Sequence, residues 1–130
     1  MAHPNEYLVR EGYAAFGRGD VEALQSRFFA PDIRWHFPGR SPFAGDYTGM
    51  AEVLGWLGRS AEVSGGTLRV ELHDVISNDD HVVALVNVQA DREGKKLDDN
   101  SVQVFHVRDG KVTEVWTHPA DVYAEDEFWS

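Results

Sequence analysis

The 130-residue chain contains no cysteine. That excludes a disulfide framework and thiolate metal sites, and it agrees with a reducing compartment. Basic residues are scarce: 12 Lys and Arg stand against 22 Asp and Glu, a formal charge of −10. Such a surface repels phosphate backbones and anionic lipid headgroups, which disfavours nucleic-acid and membrane partners. The acids are spread along the chain, denser only near its end, and act first as a solubilising surface. No apolar run approaches the roughly 20 residues that a membrane-spanning helix requires, and Met1 to Asn5 lack the basic and apolar regions of a secretory signal. A cytoplasmic protein is therefore expected. Gly-rich phosphate loops, a nucleophile elbow and a Cys–His pair are all absent. The six histidines show no close helical spacing of zinc ligands, and His3 lies on an untethered terminus, so neither a metal nor a cofactor is expected.

What the chain does contain is apolar area. It is 42% hydrophobic and 12% aromatic, with four Trp and seven Phe, enough to offset the entropy of ordering one core. A chain of this size buries roughly two thirds of its unfolded surface. Residues 1–130 are expected to form a single domain, with no internal repeat and no low-complexity linker.

Val9, Tyr13 and Phe16 recur at helical spacing, predicting a first helix from Asn5 to Phe16 that stops at Gly17-Arg18-Gly19. Asp20 is placed to cap a short second helix carrying Val21, Leu24 and Phe28 on one face, ended by Pro31. Ile33 to Phe37 is a strand that stops at Pro38-Gly39 and leads into a long loop from Gly39 to Tyr47. Met50, Val53, Leu54, Leu57 and Ala61 form the apolar stripe of a third helix, opened by Thr48 or Gly49 and closed by Ser64-Gly65-Gly66.

Thereafter the pattern has period two. Strands are predicted over Thr67 to Ser77, His81 to Ala90, Asp98 to Arg108 and Lys111 to His118, joined by tight turns into an antiparallel meander. Asp109-Gly110 is the clearest hairpin signal, because a type I′ turn needs positive φ at both central positions. In the second of these strands Val82, Ala84, Val86 and Val88 share one face, and Val83, Leu85, Asn87 and Gln89 share the other. A sheet that is apolar on both faces predicts a homodimer packed through the outer sheet face.

Helices first, then a strand, a helix and a long meander describe an α+β fold, a curved sheet wrapped around a helical layer and leaving a pocket. The chain resembles the SnoaL-like family of the nuclear transport factor 2-like, or ketosteroid-isomerase-like, superfamily. The resemblance rests on Tyr13-Ala14-Ala15-Phe16 with Gly19-Asp20, Phe29-Ala30-Pro31-Asp32, Trp35-His36-Phe37-Pro38-Gly39, Ser41-Pro42-Phe43-Ala44-Gly45 and Tyr47-Thr48-Gly49. It continues through His106 to Val112 and ends with Asp121-Val122-Tyr123-Ala124 and Asp126-Glu127-Phe128-Trp129. It implies a cone-shaped barrel of mixed, mostly antiparallel sheet around three N-terminal helices, in the manner of a cystatin-like α+β roll. The order of the motifs is specific for this fold and much less so for function.

The resemblance also frames the chemistry. Ketosteroid isomerases place a carboxylate base at the end of the first strand and a tyrosine and a protonated acid in an oxyanion hole. Counting from Gly19-Asp20 puts the base position at His36, whereas aligning on Phe29-Ala30-Pro31-Asp32 puts it at Phe37. A one-residue slip exchanges the two faces of a strand. His36 is the candidate proton carrier, because an imidazole near a pKa of ~6.5 exchanges protons at neutral pH. The alternative is that His36 hydrogen-bonds the loop beyond it while Trp35 and Phe37 fill the core.

The oxyanion tyrosine falls at Gly12, beside Tyr13, and the oxyanion acid falls at Gln103, so ordinary ketosteroid isomerisation is not expected. Gln103 can donate from its amide, and with Phe105 on the same face it suggests an apolar pocket with one polar point. Glu114, Trp116 and His118 alternate along the last strand, and His118 with Asp121 forms a second candidate acid/base pair for cyclase-type chemistry. Asp74, on the predicted face of Leu68, Val70, Leu72 and Ile76, and Arg34 supply two members of an epoxide-hydrolase-like set that lacks a third, and Asp74 is expected near the strand end where solvent reaches it, since Asp is seldom buried unless paired. Phe128 and Trp129 are expected to pack into the core or to cover the pocket mouth or a dimer seam.

The expected ligand is a small hydrophobic molecule touching Tyr13, Trp35, Phe37, Gln103, Phe105 and Trp116. Two readings stand side by side. One is a cofactor-independent isomerase, cyclase or hydrolase using His36, His118 and Asp121. The other is a non-catalytic ligand-binding or dimerisation module.

Overall fold

The computed structural model describes residues 3–130. The first helix, α1, spans Pro4–Gly17. His3 is anchored rather than untethered: its Nδ1 accepts the Asn5 N–H at 3.0 Å, capping α1, and its Nε2 reaches Asp79 at 2.9 Å. The second helix, α2, is a single turn over Val21–Ala23, capped by the Asp20 carboxylate on the Ala23 N–H at 3.1 Å. A wider π-type turn over Leu24–Phe28 carries the chain into β1, Phe29–Phe37.

The strand therefore begins before Pro31, which was expected to separate helix from strand. An irregularity between Phe29 and Arg34 in the pairing of β1 absorbs the proline and the residues around it. Such a bulge tolerates a residue that cannot donate to the ladder.

The loop expected after β1 holds a short strand, β2, over Gly45–Thr48, antiparallel to β1. Gly49, at φ 89°, then starts α3, Met50–Val63. Four long strands follow: β3 Arg69–Ser77, β4 His81–Arg92, β5 Lys95–Arg108 and β6 Lys111–Pro119. Two hairpins turn on pairs with positive φ, Glu93-Gly94 and Asp109-Gly110, the geometry that matches strand twist.

The fold is α+β, and the described residues form four helices and one six-stranded sheet in the order β2-β1-β6-β5-β4-β3. Among the described residues only the β1–β6 pairing is parallel. Because β2 and β3 pair on one side only, the sheet has two edges and does not close into a barrel.

Alternation sorts the inner face, with a slip in β6. Ile33 and Trp35 of β1, Val82, Ala84 and Val86 of β4, and Phe105 and Val107 of β5 are buried, and a register shift opposite His106 and Val107 turns both Val112 and Val115 of β6 inward. A bulge between Leu72 and Asp74 resets β3, so Val75 enters the core while Asp74 and Ile76 turn out, Ile76 being 62% exposed. The bulge parts Asp74 from Leu72, while Asp74 and Ile76 keep a common outer face, and Asp74 is exposed.

The C-terminal tail forms a fourth helix, α4, Val122–Trp129, capped by Asp121 on the Ala124 N–H at 3.0 Å. Asp126 accepts the backbone N–H groups of Arg40 and Ser41 at 2.8 and 3.1 Å, pinning α4 to the β1–β2 loop. From the β4–β5 hairpin, Arg92 donates to the carbonyls of Phe128 and Ser130 and Lys95 to that of Glu127. Cations thus meet the carbonyl end of the helix, where its dipole favours them. No helix among the described residues is long and apolar enough to cross a membrane.

Candidate functional site: an aromatic cavity with a buried carboxyl

A cavity lies between the helices and the inner sheet face. Tyr13 of α1, Trp35 and Phe37 of β1, Trp56 of α3, Gln103 and Phe105 of β5, and Glu125 and Trp129 of α4 all line it. Strand periodicity makes this inevitable for β1: once Ile33 is in the core, Trp35 and Phe37 face the same way and Arg34 and His36 face out.

The rings brace one another. Trp35 meets Phe29 and Phe105 edge-on at 6.2 and 6.5 Å and lies 5.3 Å from Trp56. Tyr47 stacks on Trp56 at 5.0 Å, and Phe37 lies 5.4 Å from it. Such spacings are those at which aromatic pairs gain energy beyond simple burial.

A row of polar groups crosses the apolar wall. Tyr13 donates its hydroxyl to Gln103 Oε1, and burial pushes the Tyr13 pKa up, so the hydroxyl keeps its proton at neutral pH. Gln103 Nε2 donates to Thr117 Oγ1 at 3.3 Å, and Trp35 Nε1 donates to the same oxygen at 3.0 Å. Thr117 accepts two bonds there, which leaves its own hydroxyl proton to offer to a ligand. Trp56 is 6% exposed, and its Nε1–H has no partner among the described residues. A buried donor left unpaired invites an acceptor from whatever fills the cavity.

Glu125 is the most unusual member. It is 3% exposed on α4, and its Oε1 accepts the Trp129 indole N–H at 3.1 Å, one helical turn further on. Burial first, and then a hydrogen bond with the Asp99 carboxyl, push its pKa up to about 7. Asp99 itself is 7% exposed on the inner face of β5.

The sequence-derived candidates divide between two faces. Tyr13, Trp35, Phe37, Gln103 and Phe105 line the cavity. His36 does not: of the two registers, the one with Phe37 at the cavity holds, because Trp35 and Phe37 occupy the inward positions. His36 instead spans two acids on the outer face, with Nδ1 2.6 Å from Asp46 and Nε2 2.5 Å from Glu114, and it stacks on Trp116 at 5.2 Å. Burial lowers its pKa but the two carboxylates outweigh that, and the net direction is up.

Trp116 is likewise outward, packed against His106 at 4.7 Å, and His118 is exposed on the same face. The Asp121 carboxylate caps α4, and no hydrogen bond joins it to His118 among the described residues. Neither His36 nor the His118–Asp121 pair is in the cavity. The alternation that brings Val115 and Thr117 of β6 inward turns Glu114, Trp116 and His118 away.

Thr117, Trp56 and Glu125 escape the sequence reading. Thr117 was available from strand alternation alone. Glu125 was hidden because the tail was not recognised as a helix, although Asp121 is a good N-cap residue and the Glu125–Trp129 spacing is that of one helical turn.

The SnoaL-like domain profile matches residues 9–115. An uncharacterized protein of Mycobacterium tuberculosis (strain H37Rv) is 39% identical over 124 residues, covering 95% of this chain and 94% of that protein. Bal32a, from a soil-derived mobile gene cassette, has a solved structure that matches with a TM-score of 0.94 at 39% identity, over 98% of this chain and 97% of its own. TerC, co-crystallized with polyporic acid, matches with a TM-score of 0.84 at 26% identity, over 97% of this chain and 98% of its own. The chain therefore belongs to the SnoaL-like domain family, and it shares its fold with NTF2-like proteins.

Proposed function

We propose that the protein binds a small, flat, hydrophobic molecule carrying a carbonyl or hydroxyl group in the cavity between its helices and sheet. The observation that carries this reading is the row Tyr13–Gln103–Thr117–Trp35, a fixed set of hydrogen-bonding groups set into an aromatic wall. Apolar walls supply affinity, and a few placed polar groups fix orientation. The TerC structure with polyporic acid supports a ligand of this kind, as a likeness between relatives. No step of such binding calls for a metal or cofactor. The absence of cysteine supports a cytoplasmic setting.

Intrinsic tryptophan fluorescence tests the reading, because Trp35, Trp56 and Trp129 all line the cavity. A screen of aromatic ketones, quinones and phenols is expected to quench or shift their emission, and Gln103→Leu is expected to weaken the best binder about tenfold, the worth of one hydrogen bond to a buried group. No response from any member of such a library would defeat the proposal.

A second reading rests on the outer face. Ile76 is exposed, and Val83, Leu85, Val102, Val104 and Trp116 are only partly buried there. Their adjacency supports a homodimer joined through the outer sheet face. Sedimentation equilibrium of the protein and of Val104→Glu tests it: a dimer that the charge dissociates is expected, and a monomer at all concentrations refutes it.

A further inference from the structure

Resting on the cavity as a binding site, we propose that Glu125 is its proton-accepting group, and that the molecule it serves carries an acidic enol or phenol hydroxyl. Three independent features point there. Glu125 is the one carboxyl side chain among the described residues that line the cavity. It is fixed rather than mobile: its Oε1 is held by the Trp129 indole, and Trp129 is itself packed 5.1 Å from Phe43. Trp56, whose buried indole N–H is unpartnered among the described residues, lines the same cavity, so a free donor and a carboxyl acceptor belong to residues bordering one space.

The groups facing Glu125 are mostly acidic. Asp99 comes from β5 and Asp126 from α4 itself. The nearby cations, Arg92 and Lys95, are engaged with the carbonyls at the far end of α4, and Arg40 presents its backbone N–H to Asp126. No cationic side chain bonds Glu125 among the described residues. Its carboxyl thus keeps a proton more readily than an exposed glutamate does, yet releases it near neutrality, the poise that proton transfer requires.

The chemistry balances without a further reactant. The ligand O–H bond breaks as the Glu125 O–H bond forms, and negative charge moves from the carboxylate to the ligand oxygen. Donors such as the Thr117 hydroxyl and the Trp56 N–H can receive that charge or an adjacent carbonyl. Return of the same proton to carbon rather than oxygen converts an enol to its ketone, and the reverse order enolises a ketone. Asp99 acts through Glu125 and is a positioning residue.

The experiment uses 2-naphthol, which becomes a strong acid only on excitation, with its methyl ether 2-methoxynaphthalene as the control that has no proton to give. With protein in excess at pH 8, bound 2-naphthol is expected to emit as naphtholate and to bind at least tenfold tighter than the ether. At pH 5, or in Glu125→Gln at pH 8, emission from the neutral naphthol and loss of the preference are expected. In Asp99→Asn the midpoint between the two behaviours is expected to move to lower pH. If both compounds bind alike and naphthol emits as the neutral form at pH 8, the role of Glu125 is overturned while cavity binding stands. If neither compound binds, both readings fall. The wild-type pH comparison decides the matter even if Glu125→Gln does not fold.

Discussion

The Tyr13 hydroxyl donates to Gln103 Oε1, so a part-buried hydrogen bond joins the first helix to the inner face of the fifth strand. Removing the donor strands a buried amide oxygen, whereas removing both partners leaves nothing unpaired. Tyr13→Phe is expected to cost about 1–3 kcal/mol of stability. Tyr13→Phe combined with Gln103→Leu should cost clearly less than the sum of the two single changes. Urea unfolding of the four proteins measures both statements; strict additivity would show that the bond does not link the elements.

The outer-face triad of His36 with Asp46 and Glu114 makes stability depend on pH. Because the charged imidazole is favoured in the fold, its contribution is complete below the ordinary histidine value of 6.5 and disappears as pH rises through the raised folded value. The pair partners are partly solvated, so His36→Gln is expected to cost within about 1 kcal/mol. The variant should show a flatter stability profile across that interval and unchanged ligand affinity. A loss of ligand binding in His36→Gln would show that this face communicates with the cavity.

Glu125 contributes a slope of the same sign for another reason. Its neutral form is favoured, so its contribution is complete below its ordinary value of 4.5 and is lost as pH rises to about 7. Glu125→Gln keeps the shape and can still accept from Trp129 while removing the ionisation. The variant is expected to match the wild type at pH 4 and to exceed it in stability at pH 8, as followed by thermal unfolding in matched buffers.

Trp129 fastens α4 over the cavity. It is 5% exposed, packs 5.1 Å from Phe43 and donates to Glu125. Trp129→Ala should cost about 3–5 kcal/mol, as large-to-small core changes do. Any ligand found for the cavity should bind more weakly to this variant, and calorimetry reads that effect. Full affinity in a folded variant would remove α4 from the site.

Gly39 sits where no side chain fits. Its φ is 114°, and a Cβ there would stand 2.2 Å from Asp126 Oδ1, the atom that holds the Arg40 and Ser41 N–H groups. Gly39→Ala combines backbone strain with displacement of that anchor and is expected to cost about 1–3 kcal/mol. Hydrogen exchange should show α4 losing protection first.

Much of this was legible in the residues. Apolar spacing located α1 and α3, alternation located the four long strands, and Asp109-Gly110 marked a hairpin that the positive φ values realise. These signals are local, carried by neighbours within one helical turn or one strand pair. Trp35 and Phe37 of β1 and Gln103 and Phe105 of β5 border the cavity together, because alternation holds along an unbulged stretch of strand.

What failed had non-local causes. The bulge in β3 exchanges the faces of Val75 and Ile76 through a pairing defect that Asp74 and its neighbours do not announce. Glycine-led β2 is a strand only because β1 lies beside it. The placement of His36 turned on a single-residue register, and register is decided by which side of the whole sheet the helices cover.

The sequence by itself determined the α+β class, the family and an aromatic interior, since these follow from composition, period and motif order. Only the tertiary structure decided that His36 faces outward between two carboxylates. It alone brought Glu125, from a tail of eight residues, against Asp99 of β5 and into the cavity. The reason is physical: period sets which residues share a face, but the docking of one element on another sets which face is buried and which charges meet, and those two effects shift a carboxyl or an imidazole.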